Sequence, residues 1–252
     1  MINILLSGCN GKMGRVITNI LADDEAAKIV CGYDINTESG PYPVYDDFSK
    51  VTEKVDVVID FSHPACLDSL LSFCGDRRIP LVLATTGLSV EQREKVAELS
   101  KRIPVFSSAN MSVGVNLLIS LVKKAASVLE GNFDIEIIEK HHNQKIDAPS
   151  GTALMIADEI SSSLKGNVDY VYDRHFVRKK REKSEIGIHS IRGGTIVGEH
   201  SVIFAGNDEI IEVKHSATGK EVFAVGAVKA AKYLAGKQPG MYNMEDLVNS
   251  SI

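Results

Sequence analysis

The chain has 252 residues, 44% of them hydrophobic and 24% charged, with a formal net charge of −5. That composition suits a soluble globular protein of one large domain or two modest ones, and the negative balance offers no general attraction to nucleic acid or anionic membrane. No apolar run approaches the roughly 18–20 residues that span a bilayer, and Cys9, Cys31, Cys66 and Cys74 lack paired metal spacing.

The opening Ile2–Leu6 reads as a strand that flows into a glycine loop, not as a signal peptide, because it has no basic start and no cleavage site. A helix follows with Met13, Val16, Ile17, Ile20 and Leu21 on one side. Further strands are expected at Ala27–Tyr33, Val55–Phe61, Pro80–Ala84 and Pro104–Phe106, with helices near Ala65–Cys74 and Val90–Leu99. The second of these helices opens on a Ser89-x-x-Gln92 capping box. The cysteines fall within these elements, so buried free thiols in a reducing cytoplasm are expected. Apolar strands alternating with helices indicate a parallel sheet covered on both faces.

The period then changes. A long helix from about Val113 to Leu129 precedes an alternating strand, Asp134–Glu139, and a polar loop leads to a second helix ending near Leu164. Strand-like runs follow at Glu185–Ile191, Gly198–Ala205 and Glu209–His215, the last two joined by a Gly206-Asn207-Asp208 turn. A closing helix near Val222–Leu234 has a composition that would let it return to the first domain. The fold class is therefore α/β. A Rossmann-like parallel-sheet domain, 1–112 and 222–252, would carry a smaller α+β domain, 113–221, inserted within it. The short basic run Arg178–Lys183 reads as a solvated loop.

Gly8-Cys9-Asn10-Gly11-Lys12-Met13-Gly14 lies between strand and helix, where glycines let backbone N–H groups approach a pyrophosphate. Asp34 ends the second strand, twenty residues after Gly14, where an acidic side chain would accept from adenine-ribose hydroxyls. Two polar segments, Ala84-Thr85-Thr86-Gly87 and Ser108-Ala109-Asn110-Met111, follow strands of the same sheet and fall at its ligand-binding edge.

The densest chemistry lies in Lys140-His141-His142-Asn143-Gln144-Lys145-Ile146-Asp147-Ala148-Pro149-Ser150-Gly151-Thr152-Ala153. A histidine titrates near neutral pH, as a general acid must. Ser150-Gly151-Thr152 opens a helix whose free N–H groups form a seat for a carboxylate or phosphate, and Lys145 adds charge to that seat. Successive side chains on extended backbone point apart, so His141 and His142 are not expected to share one role or one metal.

This stretch closely resembles the signature of the bacterial 4-hydroxy-tetrahydrodipicolinate reductase (dihydrodipicolinate reductase) family. The resemblance extends over essentially the whole chain, through Asp60-Phe61-Ser62-His63-Pro64, the Thr-Thr-Gly loop, Asn110–Asn116, Arg192–His200 and Phe223-Ala224-x-Gly226-Ala227. Ala84 and Met111 depart from the family's Gly and Phe, and Lys220 stands where relatives carry Arg, whose rigid fork Lys lacks.

The resemblance implies an NAD(P)H-dependent reductase of the diaminopimelate route to lysine, cytoplasmic and homotetrameric through the second domain's sheet. Its substrate is a cyclic dicarboxylate that loses water to give a conjugated imine. The imine accepts hydride at C4, and the resulting enamine is protonated at the neighbouring carbon. His141 would be the acid and Lys145 would hold a carboxylate and assist. His142 would contact the substrate or orient His141, and Ser150, Gly151 and Thr152 would bind the remaining carboxylate. Gly8 to Met13 and Asp34 would bind the cofactor, with Ala84, Thr85, Thr86, Ser108, Ala109, Asn110 and Met111 lining the nicotinamide. No metal, nucleic acid or membrane partner is implied.

Asp34 favours NADH, because a 2′-phosphate would meet its charge and Ile35, Asn36 and Thr37 supply no compensating arginine. Lys12 is the nearby cation visible in the sequence, so NADPH is expected as a second cofactor. A dehydrogenase of another small acid fits the glycine loop but not the 140–153 string. A nucleotide-sensing regulator would need a partner-binding module, and no helix-turn-helix pattern or basic recognition helix is apparent.

Overall fold

Buried apolar strands alternate with one-sided helices through the first hundred residues. The structure, a computed structural model, describes residues 1–38 and 40–250. In chain order it opens with β1 (Ile2–Ser7), α1 (Lys12–Leu21), β2 (Ala27–Tyr33), β3 (Val44–Tyr45), β4 (Val57–Asp60), α2 (Leu67–Arg77), β5 (Leu81–Leu83), α3 (Val90–Ser100) and β6 (Pro104–Ser107). Then come α4 (Val113–Leu129), β7 (Asp134–His141), α5 (Gly151–Ser163), β8 (Asp169–Val171), β9 (Glu185–Arg192), β10 (Gly198–Ala205) and β11 (Ile210–Ala217). The chain ends with α6 (Glu221–Leu234), β12 (Gly240–Tyr242) and α7 (Met244–Asn249), so the helix expected to close it is followed by a strand and a short helix. Two units result, Met1–Val113 with Glu221–Ile252, and Gly114–Lys220.

The first unit is a seven-stranded sheet in the order β12-β6-β5-β4-β1-β2-β3, every pair parallel. Its central strands bury both faces. Ile4, Leu6, Val57, Ile59 and Val82 pack against Ile17 and Leu21 of α1 and Ala224, Ala227 and Ala231 of α6, while Leu5, Val58 and Leu81 pack against Leu70 and Cys74 of α2 and Leu99 of α3. The strand order reverses at β1, which lies between β4 and β2, and this switch point is where open α/β sheets bind ligands at their carboxyl ends. The capping box at α3 forms with both of its hydrogen bonds.

The cysteine expectation needs one correction. Cys9, Cys31 and Cys74 are buried, but Cys66 is only half-buried, because it lies in a turn of 3-10 helix that precedes the packed face of α2. All four are free thiols.

The second unit is a five-stranded mixed sheet in the order β11-β10-β7-β9-β8. Strand β7 runs parallel to β9 and antiparallel to β10. One face carries Ile135, Ile137, Ile186, Ile188, Val202 and Phe204 against Leu118 and Val122 of α4 and Ile156 and Ile160 of α5. The hairpin between β10 and β11 closes through the Gly206 N–H on the Glu209 carbonyl at 2.9 Å. The basic run is not wholly solvated. Arg181 is drawn across the start of β7, donating to Glu136 at 3.0 Å, Asp134 at 3.1 Å and the Ile135 carbonyl at 3.0 Å. Among the described residues no helix is long and apolar enough to cross a membrane.

Candidate active site

In the first unit, Gly8 leaves β1 at φ +77°, and a side chain there would place its Cβ 2.6 Å from the Phe61 carbonyl oxygen. A Cβ on Gly14 would lie 2.3 Å from the Gly8 carbonyl oxygen. Gly8 therefore lets the loop pass against the segment after β4, and Gly14 lets the first turn of α1 fold against the loop, which only hydrogen at those positions allows. The N-cap of α1 is Gly11, with no side-chain cap and no acidic residue in the first turn. Such an end favours an anion. Asp34 stands at the end of β2, where Oδ2 accepts the Asn10 N–H at 2.9 Å and Oδ1 the Asn36 N–H at 3.0 Å. Its carboxylate is thus fixed beside the glycine loop.

A glycine turn packed too closely for a Cβ, an uncapped helix start and an oriented carboxylate fit a dinucleotide. The loop residues divide by role. The Cys9 side chain is buried in the core, where burial pushes its thiol up to about 11, and Met13 and Met111 also belong to that core. Cys9 and Met111 can therefore face a ligand through their backbone, while Met13 is half-buried. Asn10 donates to the carbonyls of Asn36 at 2.6 Å and Glu38 at 3.1 Å, tying the loop to the segment after Asp34. Lys12 is exposed. It has company that the linear sequence did not suggest: Arg15, one turn into α1, donates to the Asn10 carbonyl at 3.2 Å.

Ala84, Thr85 and Thr86 follow β5, and the Ala84 N–H bonds the Asp60 carbonyl at 2.9 Å. Ser108, Ala109 and Asn110 follow β6, with the Ser108 hydroxyl on the Asn110 carbonyl at 3.1 Å and the Asn110 side chain accepting the Ser112 N–H at 2.8 Å. Both segments sit at the carboxyl edge of the sheet.

In the second unit, β7 runs to His141, two residues beyond the expected end, because Lys140 and His141 pair with Ile191 and Arg192 of β9. The consequence is decisive for the chemistry. Period-two alternation places Ile135, Ile137, Glu139 and His141 on one buried face, so the apolar core gives way along a single strand to a carboxylate and an imidazole. Glu139 is wholly buried, and its Oε2 lies 2.5 Å from His141 Nδ1. Arg192 grips the same carboxylate with both terminal nitrogens, at 2.8 and 2.6 Å, and the Ser150 N–H adds a bond of 3.1 Å. Burial alone would raise the Glu139 carboxyl, but Arg192 and His141, with Ser150, outweigh it and hold the group at about 2.

Because an ionised carboxylate only accepts, the Nδ1 proton stays on His141 and Nε2 becomes the nitrogen that can exchange. A side chain at position 198 would bring a Cβ within 3.1 Å of that Nε2, so Gly198 keeps it uncovered. The His200 ring packs edge-on against His141 with centroids 5.3 Å apart, and its Nε2 lies 3.1 Å from the Ser150 hydroxyl. Burial, reinforced by His141, pushes the His200 imidazole down to about 4, so it is neutral at physiological pH.

The remaining signature residues are placed as follows. Lys145 pairs with Asp147 at 2.7 Å, and His142 is half-buried beside it, its carbonyl accepting the Lys145 N–H at 3.1 Å. Ser150 caps α5 through the Ala153 N–H at 3.2 Å, while Gly151 is exposed and Thr152 half-buried. The expectation that Ser150 offers a free N–H is corrected, since Glu139 takes it, and the next N–H of the helix start, that of Gly151, bears on the Asp147 carboxylate. Glu139, Arg192 and His200 were not singled out from the sequence as functional residues. The alternation of β7 carried the signal for Glu139, while Arg192 and His200 reach the cluster only through strand pairing. Among the described residues no group of three or more His, Cys, Asp or Glu side chains could hold a metal ion.

Comparison with known proteins agrees with this geometry from end to end. Residues 2–111 match the family described as dihydrodipicolinate reductase, N-terminus, and residues 114–248 match dihydrodipicolinate reductase, C-terminus. The chain is 56% identical over 248 residues to the 4-hydroxy-tetrahydrodipicolinate reductase of Caldanaerobacter subterraneus subsp. tengcongensis, covering 98% of each chain. It is 53% identical over 251 residues to that of Clostridium novyi, covering 99% of each. A dipicolinate-bound dihydrodipicolinate reductase from Paenisporosarcina sp. TG-14 superposes with a TM-score of 0.81 at 25% identity, covering 98% of this chain and 99% of that one. With both halves matched and identity above one half across nearly every residue, the chain belongs to the 4-hydroxy-tetrahydrodipicolinate reductase family.

Proposed function

We propose that this chain reduces 4-hydroxy-tetrahydrodipicolinate to tetrahydrodipicolinate with NAD(P)H, on the route to diaminopimelate and lysine. The observation that carries the reading is the buried Glu139–His141–Arg192–Ser150 cluster, which orients one imidazole at the end of an otherwise apolar sheet face. When bound, the reduced nicotinamide supplies hydride. Gly8, Gly11, Lys12 and Asp34 would hold the dinucleotide through the loop, the α1 terminus and the ribose, with Cys9, Asn10 and Met13 contributing backbone. Thr85, Thr86, Ser108, Ala109 and Asn110 would border the nicotinamide, with Ala84 and Met111 behind them.

The proton is the task of the second unit. His141 would deliver it from Nε2, its ring held by Glu139. Lys145 would turn from Asp147 to a substrate carboxylate, an exchange of one exposed anion for another that costs little. Thr152 and the Gly151 N–H would take the second carboxylate at the start of α5, and His142 would touch the ring or its substituents. Neutralising a dianion by fixed donors is the electrostatic share of the work.

NADH is the favoured cofactor and NADPH the second. We also propose a cytoplasmic homotetramer. The sheet face turned away from α4 and α5 sets Ile138, Ile191 and Ile203 among Glu136, Lys140, His189 and Ser201, a mixed apolar and charged face suited to pairing with another copy. Light scattering giving a monomer would remove that assembly. A steady-state assay following NADH oxidation with freshly generated substrate tests the function itself. Turnover is expected, and none with this substrate, or turnover only with another small acid, would overturn the reading.

A further inference from the structure

Asp60 belongs to a motif, Asp60-Phe61-Ser62-His63-Pro64, that the reaction leaves unused, and it is a carboxyl group only 1% exposed. It ends β4 at the switch-point edge of the parallel sheet. Every partner it has is a neutral donor. Oδ1 accepts the Ser62 hydroxyl at 2.6 Å and the Ser62 N–H at 3.3 Å, and Oδ2 accepts the Thr85 hydroxyl at 2.5 Å. The buried Ser7, its register partner on β1, faces the same carboxyl. Among the described residues no lysine or arginine pairs with it. Burial pushes its carboxyl upward against these hydroxyl contacts. A group that costly to bury needs a reason.

The layout of the first unit supplies one. Asp34 at the end of β2 marks the adenosine side of the glycine loop, so the rest of a dinucleotide must run the other way, over the ends of β4 and β5. Thr85 begins that edge. Its only proton is directed at Asp60, which leaves oxygen lone pairs as the hydrogen-bonding face it can offer to a ligand. Lone pairs match an amide NH2, the donor end of the nicotinamide carboxamide.

We propose that Asp60 is a positioning residue that fixes the Thr85 hydroxyl as an acceptor for the carboxamide of the cofactor and so sets the orientation of the nicotinamide ring. The inference rests on the dinucleotide reading of the first unit. An asparagine at position 60 keeps the shape but presents an NH2 that donates to Thr85 and turns the hydroxyl's proton outward, so two donors would meet.

The test is equilibrium binding of NADH and of ADP-ribose, which lacks the nicotinamide, by titration of the full chain. Asp60→Asn should weaken NADH about tenfold, the worth of roughly one hydrogen bond, and leave ADP-ribose unchanged. Thr85→Val should do the same and Thr85→Ser should restore NADH. Asp60→Asn placed on Thr85→Val should add no further loss, since the two act through one bond. Should Asp60→Asn fail to fold, the Thr85 pair still decides the acceptor role. Equal weakening of both ligands, or of neither, overturns the inference while leaving the dinucleotide reading intact. A wild-type chain that binds neither ligand overturns the dinucleotide reading itself.

Discussion

Asp60 and Glu139 are both carboxyl groups withdrawn from water near the end of a strand, Asp60 at the end of β4 in the first unit and Glu139 two residues before the end of β7 in the second, yet their surroundings drive them in opposite directions. Asp60 meets only hydroxyls and one N–H, and its carboxyl is pushed up by burial. Glu139 pays the same desolvation, but a two-pronged arginine, an imidazole and an N–H hold it at about 2. Burial by itself therefore says little about a carboxyl group; the charge of its partners decides in which direction its proton affinity moves. The two units follow the same division. The first is shaped by glycines, backbone and hydroxyls, the second by a network of charges.

The strongest way to break that contrast is to remove the group the charge network serves. His141→Gln should lower kcat by about 10²–10⁴-fold with a much smaller change in KM, because an acid used as the enamine is protonated contributes to the transition state alone. Steady-state kinetics at saturating cofactor measure it. An unchanged kcat would make the Glu139 cluster a structural feature and move the acid elsewhere.

Stability offers the next comparison. Glu139→Gln removes a buried anion from beneath Arg192 and His141 and should destabilise the fold by about 3 kcal/mol. Asp60→Asn removes no charge partner and should cost about 1 kcal/mol or less. Urea unfolding of the full chain reads both. Equal losses would mean that the hydroxyls around Asp60 depend on its charge as much as Arg192 depends on Glu139.

Acid should separate the units further. Glu139, held at about 2 in the fold against 4.5 unfolded, contributes stability above pH 4.5 that is lost as pH falls toward 2. His200, held at about 4 against 6.5, binds a proton more readily when unfolded, so stability is lost as pH falls from 6.5 to 4. The groups around it are His141, Glu139, His215 and Lys145. Each step amounts to about 3 kcal/mol. Asp60 has the opposite sign: its carboxyl is raised, so acidification relieves its burial cost. Unfolding measured at pH 7 and pH 5 should show a loss of stability that His200→Gln flattens. A profile identical in wild type and variant would show that His200 is not held neutral by the fold.

Much of this was legible in the linear chain, for definite reasons. The strand–glycine loop–helix–Asp34 series follows one another locally, and local order needs no folding to be read. His141, Lys145 and Ser150 share one continuous string. What escaped was what strand pairing creates. Arg192 reaches Glu139 only because β9 lies parallel to β7. His200 reaches Ser150 only because β10 lies on the other side of β7, fifty residues further along the chain. Glu139 itself was within reach, since Ile135, Ile137 and His141 mark its face, but ending the strand two residues early hid that pattern. Asp147 as the partner of Lys145 lies two residues away, and a turn rather than periodicity brings the two together.

The smallest expected effects lie in the first unit, where charge is a minor part of recognition. Asp34 can accept both adenine-ribose hydroxyls of NADH beyond the two N–H bonds it already receives, whereas a 2′-phosphate would approach its negative charge. Lys12 and Arg15 oppose this from α1. Both are exposed, so each contributes on the order of 1 kcal/mol or less toward a phosphate. The balance predicts a higher kcat/KM with NADH than with NADPH, by a factor of about ten or less, with both accepted. Asp34→Ala should narrow or reverse that ratio. Lys12→Ala should reduce kcat/KM for NADPH while sparing NADH, and Arg15→Ala should act in the same direction but more weakly, because its guanidinium is already committed to the Asn10 carbonyl. Parallel kcat/KM measurements with the two cofactors on these three variants decide the matter. A wild-type enzyme that strongly prefers NADPH would mean that the paired cations outweigh Asp34, and that the charges of the first unit matter more than its backbone suggests.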